Sequence, residues 1–270
     1  MNAPATGEIA RGPDSSSRED GAGQPGHGMH PAMIGDWVSF WDFHEEAGAV
    51  RKATGPFPAA LREVNGPIAS VPGGIFQGRC AELVRGQYFV LPHDECGPLA
   101  LSSELTVVAW VQRFRKPEIE CEAVAGLWNE TRAQRQYALF LDLRIHGGAD
   151  NVCGHVSHLG GPTPGQKWCM DAAISRSRVP YFSWHCLAFR YDGREARTYL
   201  DGEFSERPGL NPYAYPGPVF QGDADFTVGA VHRHGEMGNW FVGRIGGLAV
   251  FERALENSEI ASLAGCTSRG

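Results

Sequence analysis

Apolar and polar positions alternate with a period of two along most of the chain, most clearly in Trp184 to Gly202, WHCLAFRYDGREARTYLDG. His185, Leu187, Phe189 and Tyr191 fall on one face, and Trp184, Cys186, Ala188 and Arg190 on the other, the signature of a strand with two different sides. Asp192-Gly193 supplies the positive-φ residues of a tight reversal, and a second strand runs from Arg194 to Leu200 before the next turn at Asp201-Gly202. Leu105 to Phe114 is the strongest single strand, rich in Val, Trp and Phe. Trp37 to Phe43 predicts an opening strand, and Ala59 to Val64 another within an otherwise loop-rich 44–72. Gln77 to Leu83 and Gln87 to Leu91 read as a strand pair turning at Arg85-Gly86. Ala123 to Trp128 and Tyr137 to Arg144 read as two more, flanking the polar turn NETRAQRQ. Two closing strands follow, then a short helix over Leu255 to Leu263, with Ser258-Glu259 placing negative charge in its early turns. Many short strands and one helix predict an all-β fold, a two-sheet antiparallel jelly-roll sandwich.

Several of these stretches, in this order, carry a resemblance. The 184–202 hairpin resembles the W-H-x-(V/L)-A-(V/F)-x-Y-D-G hairpin of the concanavalin A-like lectin/glucanase superfamily, in its laminin-G-like branch. Trp41-Asp42-Phe43, GQYFVLP (86–92) and LTVVAWVQ (105–112) are similar to its earlier strands, and Phe226 to Leu263 to its closing unit. The family's closing G-x-I-D-E stands here as Gly243-Arg244-Ile245-Gly246-Gly247, so no role resting on those carboxylates carries over; the two glycines allow a close backbone approach instead. The resemblance spans roughly residues 34–265 and implies a concanavalin A-like fold over 34–266. The fold itself hosts sugar-binding, peptide-binding and catalytic proteins alike.

Composition narrows the classes. The 35 glycines and 18 prolines of the 270 residues suit short strands joined by turns. A net charge of -7 argues against a general affinity for nucleic acid or anionic membrane. No apolar run reaches the length of a membrane span. Residues 1–33 offer nothing to bury and no secretory apolar core, so they read as a disordered tail. Seven cysteines form no C-x-x-C pair, and without a leader a reduced cytoplasmic protein is the expectation; Cys186, within a strand, reads as a small buried hydrophobe.

Candidate chemistry gathers in the loops. Gly147 to Pro180 is longer than the short strand and turn of a minimal relative, and it carries His155, His158, Trp168 and Asp171. Three apart on a strand, His155 and His158 face opposite sides; on a loop they could converge as substrate contacts or a general base, or simply sit at the surface. His232 and His234, with Glu236 and Asn239 in VHRHGEMGN, alternate onto one strand face, an arrangement metals use once a further ligand joins. Trp168, Tyr181, Tyr213 and Tyr215 either stack on sugar rings or plug loops onto the sandwich, whereas Trp110 and Trp184 belong to the core. Asn129 opens the polar turn as a further ligand contact. Glu118, Glu120 and Glu122, in PEIECE, superficially resemble the E-I-D-x-x-E signature of retaining β-glucanases, but fall where the laminin-G-like pattern has a solvent loop. The resemblance also allows calcium, for which Asp142, Asp150, Asn151, Asp171 and Asp223 are the available hard ligands.

Three functions remain open. The first is a lectin-like module holding a glycan or other small polar ligand. The second is a polysaccharide lyase or glycoside hydrolase using His155, His158, Tyr181, His232 or His234. The third is a non-catalytic subunit packing on a protein partner or on its own copy.

Overall fold

The structure, a computed structural model, describes Met1 and residues 28–267. Of the expected tail, residues 2–27 lie outside the described residues; Pro31–Met33 forms a single 3-10 turn, and the Met29 amide donates to Ser262 O at 2.8 Å.

Two sheets face each other. In the first, the strands run from one edge as Glu203–Phe204, Glu195–Leu200, His185–Tyr191, Leu105–Arg113, Gly243–Phe251, Arg79–Leu83 and Ala69–Pro72. The second runs Ala172–Arg178, Asn151–Val156, Gln134–Leu141, Glu122–Asn129, Phe226–Val228, Tyr88–Leu91, Ala60–Val64 and Arg51–Lys52. Neighbours on both paths pair antiparallel, and the helix Asn257–Ala264 closes the chain. This is the jelly-roll sandwich the alternation predicts. No helix among the described residues is long and apolar enough to cross a membrane.

Alternation explains the layers. Val107, Ala109 and Val111 point between the sheets with Leu127, Tyr137, Leu139, Phe189, Phe226 and Leu248. Val108 and Trp110 point the other way, into a second apolar layer under the helix with Phe40, Phe251, Ile260 and Leu263. The strand Leu105–Arg113 is therefore buried on both faces, which is why its sequence is apolar throughout. The paired glycines of the last strand meet this layer: a Cβ on Gly247 would lie 2.5 Å from the Phe76 ring, and one on Gly246 2.9 Å from Trp184. A capping box joins Glu256 and Glu259 at the helix start, and Arg253 grips Glu259 through two 2.7 Å bonds.

Two local expectations change. Arg79–Leu83 and Tyr88–Leu91 are not a hairpin; each joins a different sheet, because the turn between them crosses the sandwich. The segment 147–180 is not one long loop either. It contributes the strands Asn151–Val156 and Ala172–Arg178, paired with each other at the edge of the second sheet, and only the stretch between them is irregular.

One ion pair ties the sheets together. Arg113 ends a first-sheet strand and Glu122 begins a second-sheet strand, and both are buried with Nη2 and Oε1 2.6 Å apart. Asp150 joins at 3.0 Å from Arg113 Nη1 and accepts the Tyr181 hydroxyl at 2.8 Å, while the Tyr181 ring lies 4.0 Å from the guanidinium. Glu122 therefore belongs to the interior rather than to a solvent loop.

Candidate functional site: a cleft on the outer face of the second sheet

The outer face of the second sheet carries a third apolar layer of Ala123, Trp128, Ala138, Phe140, Cys153, Ala172, Ile174 and Val231. Strand alternation sends these side chains outward while Leu127, Tyr137, Leu139 and Val152 point to the core. Loops wall this layer into a cleft of about 560 Å³ with Trp128, Phe140 and His155 on its floor. One wall is 118–121; the others are Leu143 to Ile145, Trp168-Cys169 and the hairpin from Arg233 to Trp240. Ile119 and Trp168 stand exposed at its mouth, where an apolar side chain gains nothing unless something covers it.

His155 is only 2% exposed. Its Nδ1 lies 2.8 Å from Asp171 O, and its ring packs 4.9 Å from Trp128 and 5.4 Å edge-on to Phe140. Burial pushes its pKa down to about 4, so the imidazole is neutral and a weak base near neutral pH. Asp171 fixes the loop beside it, accepting Thr163 Oγ1 at 2.6 Å and the Tyr213 hydroxyl at 2.9 Å. Trp168 follows from this anchoring: Lys167 Nζ sits 4.4 Å from its ring and His234 meets it edge-on at 5.6 Å.

The His-x-His pair does not share a strand face. Val231–Arg233 and Glu236–Gly238 form a hairpin whose two-residue turn is His234-Gly235, both at positive φ. That turn breaks the alternation. His234 reaches the cleft, while His232 turns away to Thr131 Oγ1 at 2.9 Å. Within the same hairpin Glu236 lines the cleft, and Asn239 accepts from Arg233 through its side chain and donates its amide to Glu120 Oε2 at 3.2 Å.

The other expected residues lie elsewhere. His158 faces away from His155, stacking on Tyr215 with ring centroids 3.8 Å apart and placing Nε2 3.2 Å from the Tyr191 hydroxyl. Tyr213 and Tyr215 pack against the central core and hold loops, and burial raises both phenols. Tyr181 serves the Arg113 network. Asn129 caps its turn by accepting from the Arg132 amide at 3.0 Å.

Most of the calcium candidates are held by other protein groups, although Asp142 and Asp150 are neighbours, with Asp142 Oδ1 accepting the Asp150 amide at 2.9 Å. Asp142 pairs with Arg144 at 2.9 Å, Asp150 with Arg113, Asp223 with Arg132 at 3.3 Å, and Asn151 donates to the carbonyls of residues 175–177. Among the described residues, the cluster whose donor atoms come within 4.8 Å of one another is Asp42, His44 and Glu45.

Sequence reasoning missed Trp128, Trp240, Arg233 and Glu130 as cleft residues and set Glu118 and Glu120 aside as a solvated run. For Trp128 a signal exists, since it alternates with the core residue Leu127. The carboxylates gave none, because 117–121 takes no regular period. Cys121 and Cys169 also line the cleft, but burial pushes their thiols to about 11 and about 12, so neither is a thiolate nucleophile near neutral pH.

A comparison with curated proteins finds no match. Among solved structures, the chain is similar to domain 4 of AbnA, a GH43 extracellular arabinanase from Geobacillus stearothermophilus, in complex with arabinotriose. They share 18% identity at a TM-score of 0.57, covering 85% of this chain and 98% of that one. It is similar to Trypanosoma rangeli sialidase in complex with sialic acid at 17% identity and a TM-score of 0.58, covering 86% of this chain but only 33% of the sialidase. The binding domain of Paraclostridial Mosquitocidal Protein 1 aligns at 12% identity and a TM-score of 0.58, over 85% of this chain and 52% of that one. At such identities these likenesses concern the fold alone. The family model of the laminin-G type matches residues 85–261, and the chain belongs to the concanavalin A-like lectin/glucanases superfamily.

Proposed function

We propose that the protein binds carbohydrate in the cleft on the outer face of its second sheet. The observation that carries this is the cleft's composition: exposed Trp168 at the mouth, Trp128 and a buried neutral histidine on the floor, and polar walls. A saccharide has an apolar ring face and a hydroxyl edge, and an aromatic beside fixed polar groups matches both. Relatives by fold add support, since one was solved with arabinotriose and another with sialic acid.

Hydrolysis is the second reading, favoured by Glu118, Glu120 and Glu236 lining the same cleft. His155 does not suit a base near neutral pH, so the carboxylates carry this version. The test is calorimetric titration with a panel of oligosaccharides, with calcium and with chelator, alongside a reducing-end assay for turnover. Saturable binding without turnover, weakened about tenfold in Trp168→Ala, is the expected result. If no saccharide binds and none is cleaved, the proposal fails. A chelator effect would add calcium to the site.

A further inference from the structure

Four carboxylates, Glu118, Glu120, Glu130 and Glu236, line the cleft against three arginines, each of which has a protein partner. Arg233 donates to Asn239 Oδ1, Arg85 Nε lies 3.3 Å from Glu118, and Arg144 is 2.9 Å from Asp142. An acidic sugar entering here would meet that excess of carboxylates. Two acceptor groups in the cleft have no protein partner among the described residues. Glu236 is exposed and has no ion pair or side-chain hydrogen bond among the described residues. His155 is the more telling case because it is 98% buried. Its Nδ1 faces a carbonyl, which can only accept, so the ring proton sits on Nδ1 and Nε2 carries a lone pair. No hydrogen bond reaches Nε2 among the described residues, and the ring lines the cleft floor. That lone pair has no protein donor, and a ligand hydroxyl in the cleft is a group that can donate to it.

We infer that the cleft selects an uncharged saccharide, one hydroxyl of which donates to His155 Nε2, and that it discriminates against acidic sugars. This rests on the carbohydrate reading of the cleft and adds the ligand's charge and its hydrogen-bond polarity. The neutral imidazole enforces the choice: a ligand oxygen without a hydrogen would meet the lone pair and be repelled. Asp171 is the positioning residue, because its carbonyl sets the tautomer and its carboxylate holds the loop.

The test compares neutral oligosaccharides (arabino-, xylo-, gluco- and galacto-series) with uronate-containing and sialylated ones on the full chain. Neutral ligands should bind at least about tenfold more tightly than acidic ones of equal length. His155→Asn retains an amide donor for Asp171 O but its shorter side chain places no acceptor where Nε2 stood, so affinity should fall about tenfold with the thermal transition still cooperative. A second measurement needs no variant. In the best neutral ligand, O-methylation of the donating hydroxyl removes its hydrogen but keeps its oxygen, so one position in the methyl series should cost about tenfold. Preference for acidic sugars, undiminished binding by a folded His155→Asn, or a methyl series without such a position overturns the inference while the carbohydrate reading stands. Silence across every saccharide class overturns both.

Discussion

Acidification offers a direct measure of how firmly the fold holds His155 neutral. In the unfolded chain the imidazole titrates near 6.5; in the folded protein burial depresses it to about 4. Below 6.5 the unfolded state therefore binds a proton that the folded state refuses, and stability falls as pH drops through this window. The two values, at about 1.4 kcal/mol per pH unit, set a total loss of about 3 kcal/mol by pH 4. Between pH 7 and pH 5 the expected share is about 2 kcal/mol. The assay is urea unfolding followed by tryptophan fluorescence at pH 7, 6 and 5, for the wild type and for His155→Asn. Burial also lowers His30 and His158, and Asp42 raises His44, so the wild-type slope alone is ambiguous. Those groups remain in the variant and cancel in the difference. The wild type should lose about 2 kcal/mol more than the variant over this range. Parallel pH profiles, within about 0.5 kcal/mol, would refute the claim that burial keeps the ring unprotonated.

The interior makes two further demands. Glu122→Gln leaves the buried Arg113 charge facing a neutral amide, with Asp150 as its remaining counter-ion, and should cost about 3 kcal/mol or more in chemical unfolding. The double variant Arg113→Met with Glu122→Leu should recover most of that loss, and additive losses would contradict the pairing. Gly154 lies where the two sheets approach, and a Cβ there would fall 2.0 Å from the Phe189 ring. Gly154→Ala should lower stability by about 1–3 kcal/mol, with Phe189→Leu relieving part of it; a neutral effect would mean that the ring moves freely.

The fold was legible because strand alternation and turn chemistry are local. The Trp184 to Gly202 hairpin pairs as its sequence announces, Ala188 opposite Tyr199 and Tyr191 opposite Ala196. Leu105 to Phe114 lies at the centre of its sheet because an uninterrupted apolar run requires cover on both sides. Pairing partners were less legible. Arg79–Leu83 and Tyr88–Leu91 look like a hairpin because a glycine turn separates two apolar stretches, yet the same turn serves equally well to pass from one sheet to the other. The sequence marks where a chain turns, not which sheet receives it.

The cleft was harder to read for a related reason. Its floor comes from three neighbouring second-sheet strands, and its walls from loops far apart in the chain. Register decides what converges there: His155 stands opposite Ala138 and Ala172, beside the outward face that holds Trp128 and Phe140. Two small partners leave room for the imidazole on the sheet, and Asp171 of the 157–171 loop holds its Nδ1. His158, three residues on, lies past the strand's end in a bend of the following loop and packs on Tyr215 instead. The histidines that looked alike in sequence thus separate into a cleft acceptor, a loop plug, a strand residue bonded to Thr131 and a turn residue at the cleft rim. What distinguishes them is the partner each nitrogen finds, and that depends on residues such as Asp171 and Thr131, whose positions only the assembled sheet supplies.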